Sequence, residues 1–338
     1  MEHITIKDIA KALNLSFSTV SRALRGHPDV NQETKKKILA LAEQLNYEKN
    51  PLALSLRKQK TNAIGVIIPE IANPFFSRII SGIQHVAYEA GYNVMICLSD
   101  ESIEREISNL RHLLRYRVDG LLAAVSVETS TFPHFELALA KQVPMVFIDR
   151  VWDHPQVSKV LVDDFEGAFT ITQHLIEMGY GQIAHIAGPE KLLVTQKRLE
   201  GFRAAILAHD LPLPPDYIQF GGFTEDFGAE ALQKLLSLPS PPDAVFCVND
   251  RTATGALLHC KTQQVQVPRQ LGIAGFTDMP VSKLIEPGLT TMAQPAFEMG
   301  EVATQMMLRY LAAERYEPEV LILKTQLIIR ESTRRSII

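Results

Sequence analysis

Two groups of polar residues in this 338-residue chain have the types and spacings of molecular recognition. In the first, Ser18, Ser21, Arg22 and Arg25 recur at i, i+3, i+4 and i+7, one face of a short helix that opens at Phe17. Hydroxyls and guanidinium groups in such a row can meet the base edges and phosphates of a duplex. The second group is spread over the rest of the chain. Asn73, Phe75, Ser126, Asp149, Asn249, Thr277 and Asp278 stand just after apolar runs, Arg198 opens a helix, and Phe223 sits in a Gly-rich loop. Hydrogen-bonding side chains with a few aromatics suit a polar ring such as a sugar or a nucleobase.

Neither group carries a catalytic pattern. There is no Walker loop, no GxGxxG after a strand, no GxSxG and no HExxH. The ten histidines are scattered without metal-ligand spacing. Cys97, Cys247 and Cys260 form no CxxC pair and sit in or near apolar runs, which reads as reduced, buried thiols. No cofactor or metal is expected. The N-terminus carries charges at positions 2, 7 and 8 and lacks an apolar h-region, and no run approaches the ~20 apolar residues that cross a bilayer. The expected location is the cytoplasm, with no membrane partner.

Charge separates the chain into two parts. Residues 1–60 hold 11 Lys/Arg against 6 Asp/Glu, a balance of +5, and the remainder holds 23 against 32, a balance of −9. A basic head on an acidic body points to a polyanion partner for the head alone.

The head, residues 1–49, shows three successive helical patterns. Ile6, Ile9, Ala10 and Leu13 form one apolar face, with Thr5 and Asp8 placed as a near capping box. Asn14-Leu15-Ser16 is a tight break with Ser16 as the next cap, and the second helix runs to Arg25 before Gly26 and Pro28 end it. A third helix starts at Asn31 and buries Ile38, Leu41, Ala42 and Leu45. Two short helices joined by a three-residue turn and braced by a third make a helix-turn-helix, whose second helix enters the major groove. Phe17 is then placed for a thymine methyl, Ser18 for a base edge, and Arg22 for guanine or a phosphate. Thr5, Thr19, Ser21 and Asn31 suit phosphate contacts. A plain three-helix bundle with a solvated polar face satisfies the same periodicity.

The motifs Thr5-Ile6-Lys7-Asp8-Ile9-Ala10, Ser18-Thr19-Val20-Ser21-Arg22-Ala23-Leu24, Val30-Asn31 and Leu45-Asn46-Tyr47 decide between these readings. They resemble the DNA-binding head of the lactose/galactose-repressor family of bacterial transcriptional regulators almost position for position. The resemblance continues along the chain. It implies that residues 50–60 contain a hinge helix that folds on DNA, with Leu56 as a wedge in the minor groove. Leu54 departs from the polar or basic residue common there, which leaves the phosphate contacts of that helix open.

From Ala63 onward, buried apolar runs alternate with amphipathic helices, the pattern of parallel sheets covered on both faces. The expected fold class is an all-α head and hinge followed by an α/β body of two doubly wound lobes. The body is residues 61–338, with the first lobe at about 61–160 and 292–320 and the second at about 161–291 and 321–335. Ligands of such sheets bind at the carboxyl ends of strands, where the second group of polar residues stands. The body resembles the type I periplasmic-binding-protein fold that is the sensor of the same family. That resemblance matches Asp149, Arg198 and Asn249 to common ligand contacts, with Phe75 and Phe223 as walls. It also marks a departure: Thr277 stands where the family often has Asp or Asn, with Asp278 one residue later.

The reading implied is a homodimeric regulator, expected to act as a repressor on a pseudo-palindromic operator in double-stranded DNA, controlled by a small-molecule effector. Two rivals are a solute-binding protein, for which the head has no purpose, and an enzyme acting on a small metabolite.

Overall fold

The computed structural model describes residues 4–24, 26–45, 47, 60–313 and 317–335. The chain divides into two compact units, residues 1–61 and 62–338. The hinge prediction, with Leu54 and Leu56, lies outside the described residues, as does Arg25.

In the first unit, α1 (Ile6–Ala12), α2 (Phe17–Leu24) and α3 (Gln32–Gln44) follow one another. Each start has a polar cap. The Asp8 carboxylate accepts from the Thr5 N–H at 2.8 Å and from its hydroxyl at 2.7 Å. The Ser16 hydroxyl accepts the Thr19 N–H at 3.1 Å, and Asn31 Oδ1 accepts the Glu33 N–H at 2.8 Å. Gly26 ends α2 with φ at +79°, and the His27 N–H reaches back to the Arg22 carbonyl at 3.1 Å, the left-handed stop that glycine permits. Ile9, Val20, Ala23 and Ile38 are fully buried between the three helices.

In the second unit, strands and helices alternate. The first sheet is built from β1 (Ala63–Ile68), β2 (Asn93–Leu98), β3 (Gly120–Ala123), β4 (Met145–Ile148), β5 (Ser158–Val162) and β11 (Val320–Leu323), in the spatial order β11-β5-β4-β3-β1-β2 and parallel throughout. The second contains β6 (Ile183–Ile186), β7 (Ile218–Gln219), β8 (Ala244–Cys247), β9 (Gly272–Thr277), β10 (Thr290–Ala293) and β12 (Gln326–Ile328), ordered β12-β10-β9-β8-β6-β7, with β12 antiparallel at its edge. The inner strands are buried on both faces, hence their unbroken apolar sequence.

Helices α4 (Pro74–Glu89), α5 (Ile103–Arg115), α6 (Pro133–Ala140) and α11 (Ala296–Ala312) cover the first sheet. Helices α7 (Asp164–Glu177), α8 (Leu193–Ala208), α9 (Glu225–Leu236) and α10 (Asp250–Thr262) cover the second. A side chain at Gly82 on α4 would place its Cβ 2.0 Å from the Phe297 carbonyl, and one at Gly300 on α11 would meet the Ile79 carbonyl at 2.1 Å. That pair of glycines lets α4 and α11 approach backbone to backbone.

The chain passes between lobes after β5, after β10 and again between β11 and β12. β11 pairs with β5, so residues 321–323 belong to the first sheet rather than to the second lobe where the sequence reading put them. β11 is an edge strand whose Val320 and Ile322 are each 56% exposed, and its short apolar run does not reveal which sheet it joins.

Candidate functional site

Both sheets present their carboxyl ends to one cleft. In each, the strand order reverses around the first strand, β1 or β6, which places the crevice beside it. Asn73, Phe75, Asp149, Arg198, Phe223, Asn249 and Thr277 of the expected residues line this cleft. The first lobe contributes loops after β1 and β4, and the second contributes loops after β7, β8 and β9 and the start of α8.

The two asparagines owe their position to helix starts. Asn73 Oδ1 accepts the Phe75 N–H at 3.0 Å and caps α4, while Asn249 Oδ1 accepts the Thr252 N–H at 2.8 Å and caps α10. The Asn249 amide also donates to the Phe223 carbonyl at 3.3 Å, which fixes the loop carrying that ring.

Charged groups dominate the polar lining. Arg198 is 3% exposed. Its Nε donates to Asp164 Oδ1 at 2.8 Å, its Nη1 to the Val248 carbonyl at 2.6 Å, and its guanidinium lies 3.8 Å over the Phe276 ring. Burial pushes the Asp164 carboxyl up to about 6, against the opposing pull of Arg198. Asp149, also buried, takes the left-handed conformation at φ +63° while its N–H still bonds to the Val160 carbonyl at 3.0 Å. Burial raises its carboxyl above the usual range, and the charges of Arg198 and Arg150 oppose that shift. Thr277 stands at φ +131°, its hydroxyl donating to Gln294 Oε1 at 3.1 Å. Non-glycine residues in such conformations store strain that the surrounding structure must hold, and they concentrate at binding sites.

Two expected residues do not reach the cleft. Ser126 is fully buried; its N–H donates to Glu106 Oε2 at 2.7 Å and its hydroxyl bonds with Thr129 at 2.9 Å. The turn after β3 is directed onto the buried Glu106 carboxylate, which also holds His134 at 2.8 Å. Asp278, at φ +61°, has its carboxylate on Arg330 at 2.7 Å, outside the cleft lining. Asp250 is likewise structural: fully buried, it accepts from the Met279 N–H, Ser282 and Thr291.

The lining also includes Phe76, Arg150, Val194, Arg251, Met279 and Gln294; of these only Arg150, which follows Asp149 after the run PMVFI, is marked in the sequence by its strand-end place. Arg251 sits two residues past the expected contact Asn249, inside α10. Arg251 grips Glu225 with two nitrogens, at 3.0 and 2.9 Å, and Glu70 of the opposite lobe with the third, at 2.7 Å. Asp163 caps α7 through the Glu166 N–H at 3.0 Å, whereas its neighbour Asp164 turns to Arg198. Trp152 lies buried in a stack with Phe132, with ring centroids 5.5 Å apart, away from the lining. No group of three or more His, Cys, Asp or Glu able to hold a metal occurs among the described residues.

On the head, Phe17 is 54% exposed and Ser18 and Arg22 stand beside it on the open face of α2. Ser16 links the hydroxyls of Ser18 at 2.9 Å and Thr19 at 2.8 Å, and Arg22 pairs with Asp29 at 2.7 Å. Thr5 and Asn31 are exposed at helix starts, as expected. Ser21 is 9% exposed, on the buried side of α2 despite its helical spacing with Ser18 and Arg22.

A helix-turn-helix unit in one chain with a cleft between two doubly wound lobes defines a class, the DNA-binding regulators with a periplasmic-binding-protein-like sensor. The comparisons with known proteins agree. The family described as "Periplasmic binding proteins and sugar binding domain of LacI family" matches residues 61–331, and "Bacterial regulatory proteins, lacI family" matches residues 5–50. Catabolite control protein A of Priestia megaterium is 32% identical over 98% of this chain and 100% of its own length. The HTH-type transcriptional repressor CytR of Escherichia coli (strain K12) is 34% identical over 98% of this chain and 96% of its own. The lac repressor dimer bound to operator and the anti-inducer ONPF shares the fold, with a TM-score of 0.85 at 24% identity, covering 98% of this chain and 99% of that one. The chain belongs to the LacI family of bacterial regulatory proteins. Among the described residues no helix is long and apolar enough to cross a membrane.

Proposed function

We propose that this protein is a homodimeric transcriptional repressor whose affinity for a pseudo-palindromic operator is set by a small polar effector held between its two lobes. The observation that carries this reading is the cleft itself. Arg150 and Asp149 come from one lobe and Arg198, Phe223 and Asn249 from the other, so a ligand there touches both lobes at once. The ion pair between Glu70 and Arg251 bridges the same two lobes. A ligand favours one lobe arrangement by its differential affinity for it, and DNA affinity follows by linkage.

In this reading the head contacts DNA through Thr5, Phe17, Ser18, Thr19, Arg22 and Asn31, with Ser21 supporting α2 from its buried side. Residues 50–60, Leu56 among them, form the minor-groove hinge. The effector is a sugar or a sugar derivative, in keeping with the sugar-binding family matched by the body. The cleft binds and does not turn its ligand over, and the protein works in the cytoplasm beside the DNA it controls.

Selection of bound sites from a random duplex library with purified full-length protein tests this. The expected result is a pseudo-palindrome whose enrichment disappears when residues 1–60 are deleted. No enriched site, with or without a metabolite pool, would refute it.

A further inference from the structure

Three guanidinium groups line the cleft, and in two of them all three nitrogens already hold an acceptor. Arg198 spends its nitrogens on Asp164 and Val248, and Arg251 spends its own on Glu225 and Glu70. Arg150 differs. Only Nη1 is used, donating to the two carboxylate oxygens of Glu101 at 2.7 and 2.9 Å. Among the described residues its Nε and Nη2 have no acceptor. Those two nitrogens share one edge of the planar group, the edge that matches a carboxylate or phosphate bidentately.

The guanidinium is held firmly. It lies 4.7 Å from the ring centre of Phe223 in one lobe and 5.4 Å from that of Phe76 in the other, and the residue is 6% exposed. Three of its five N–H groups, one on Nε and two on Nη2, are left for an acceptor that enters the cleft. Apart from the Asp149 carboxylate, the lining offers few acceptors of its own. The oxygens of Asn73 and Asn249 are engaged as helix caps, Thr277 occupies its place without a carboxylate, and Asp278 is tied to Arg330. A neutral polyol needs acceptors for its many hydroxyls, whereas a ligand that brings its own anion matches a cleft rich in donors.

Resting on the effector cleft proposed above, we infer that the effector is a monosaccharide-sized polyol bearing a carboxylate or phosphate, and that the free edge of Arg150 seats that anion. Glu101 lowers the net charge at this point but leaves the edge open.

Isothermal titration of the full-length protein with D-glucuronate, D-galacturonate and D-glucose 6-phosphate, beside D-glucose and D-galactose, tests the assignment. At least one anionic probe is expected to bind about tenfold or more tighter than its neutral parent, the carboxylate and phosphate arms showing which anion is meant. Arg150→Gln should remove that advantage, and Arg150→Lys, which keeps charge but loses the fork, should restore only part of it. Glu101→Gln leaves Arg150 in place and should tighten anion binding, a reading independent of whether Arg150→Gln folds. The inference is overturned if neutral sugars bind as tightly, if Arg150→Gln keeps the anion's affinity, or if no anionic probe binds at millimolar concentration. Operator selection on the same preparation separates the two readings: a bound operator without anion preference overturns this assignment alone.

Discussion

The Arg198 guanidinium donates to Asp164 at 2.8 Å inside the second lobe, yet the carboxylate it pairs with is pushed up to about 6 by burial. Folded protein therefore holds a proton that the unfolded chain, at the ordinary aspartate value of 3.8, has already released. Stability is greatest below that unfolded value and is lost as pH rises toward 6. Asp164→Asn removes this dependence. Urea melts at pH 4 and pH 7 should show the wild type losing on the order of 1–3 kcal/mol more over that interval than the variant.

The bridge from Arg251 to Glu70 links lobes that share a ligand. Its side chains are 22% and 30% exposed, so its contribution is that of a partly screened pair, about 0–1 kcal/mol. Glu70→Gln should weaken effector binding by at most about fivefold and leave the melting temperature of the ligand-free protein within a degree or two. Calorimetric titration reads the first and a thermal scan the second.

On the head, Arg22→Ala removes the exposed guanidinium of α2 while its partner Asp29 stays solvated. Operator affinity should fall by about 1–3 kcal/mol, with relaxed preference at one base pair of each half-site. Competition binding with single-base operator variants distinguishes that outcome from the uniform loss that a phosphate contact gives.

Gly82→Ala tests the α4 and α11 packing. A Cβ 2.0 Å from the Phe297 carbonyl cannot be accommodated by side-chain movement, so the helices must separate. The cost expected from chemical denaturation is about 1–3 kcal/mol, typical of overpacking.

Much of this architecture was legible in sequence because buried parallel strands are unbroken apolar runs. AIGVII and NVMICL coincide with β1 and β2. Caps were equally readable, since Thr5, Ser16 and Asn31 act within three residues of their own position. The cleft was legible only to the level of strand ends. Position there does not reveal how the next turn rotates, and left-handed Asp149 faces the cleft while left-handed Asp278 turns to Arg330. Arg251 was missed, and the role of Arg150 at its strand end was not readable, because both depend on partners such as Glu225 and Glu101, 26 and 49 residues away in sequence. Ser21 shows the same limit on a helix: its spacing matches Ser18 and Arg22, but packing with the neighbouring helices places it inside.

The most direct test of the account is the affinity of full-length protein for its selected operator, read by fluorescence anisotropy, with and without a ligand shown by calorimetry to occupy the cleft. The account predicts a change in DNA affinity of about 5- to 150-fold, in either direction, abolished in a variant that no longer binds the ligand. Equal operator affinity at saturating ligand would contradict it, because a cleft occupied without consequence for DNA is not the sensor of a regulator.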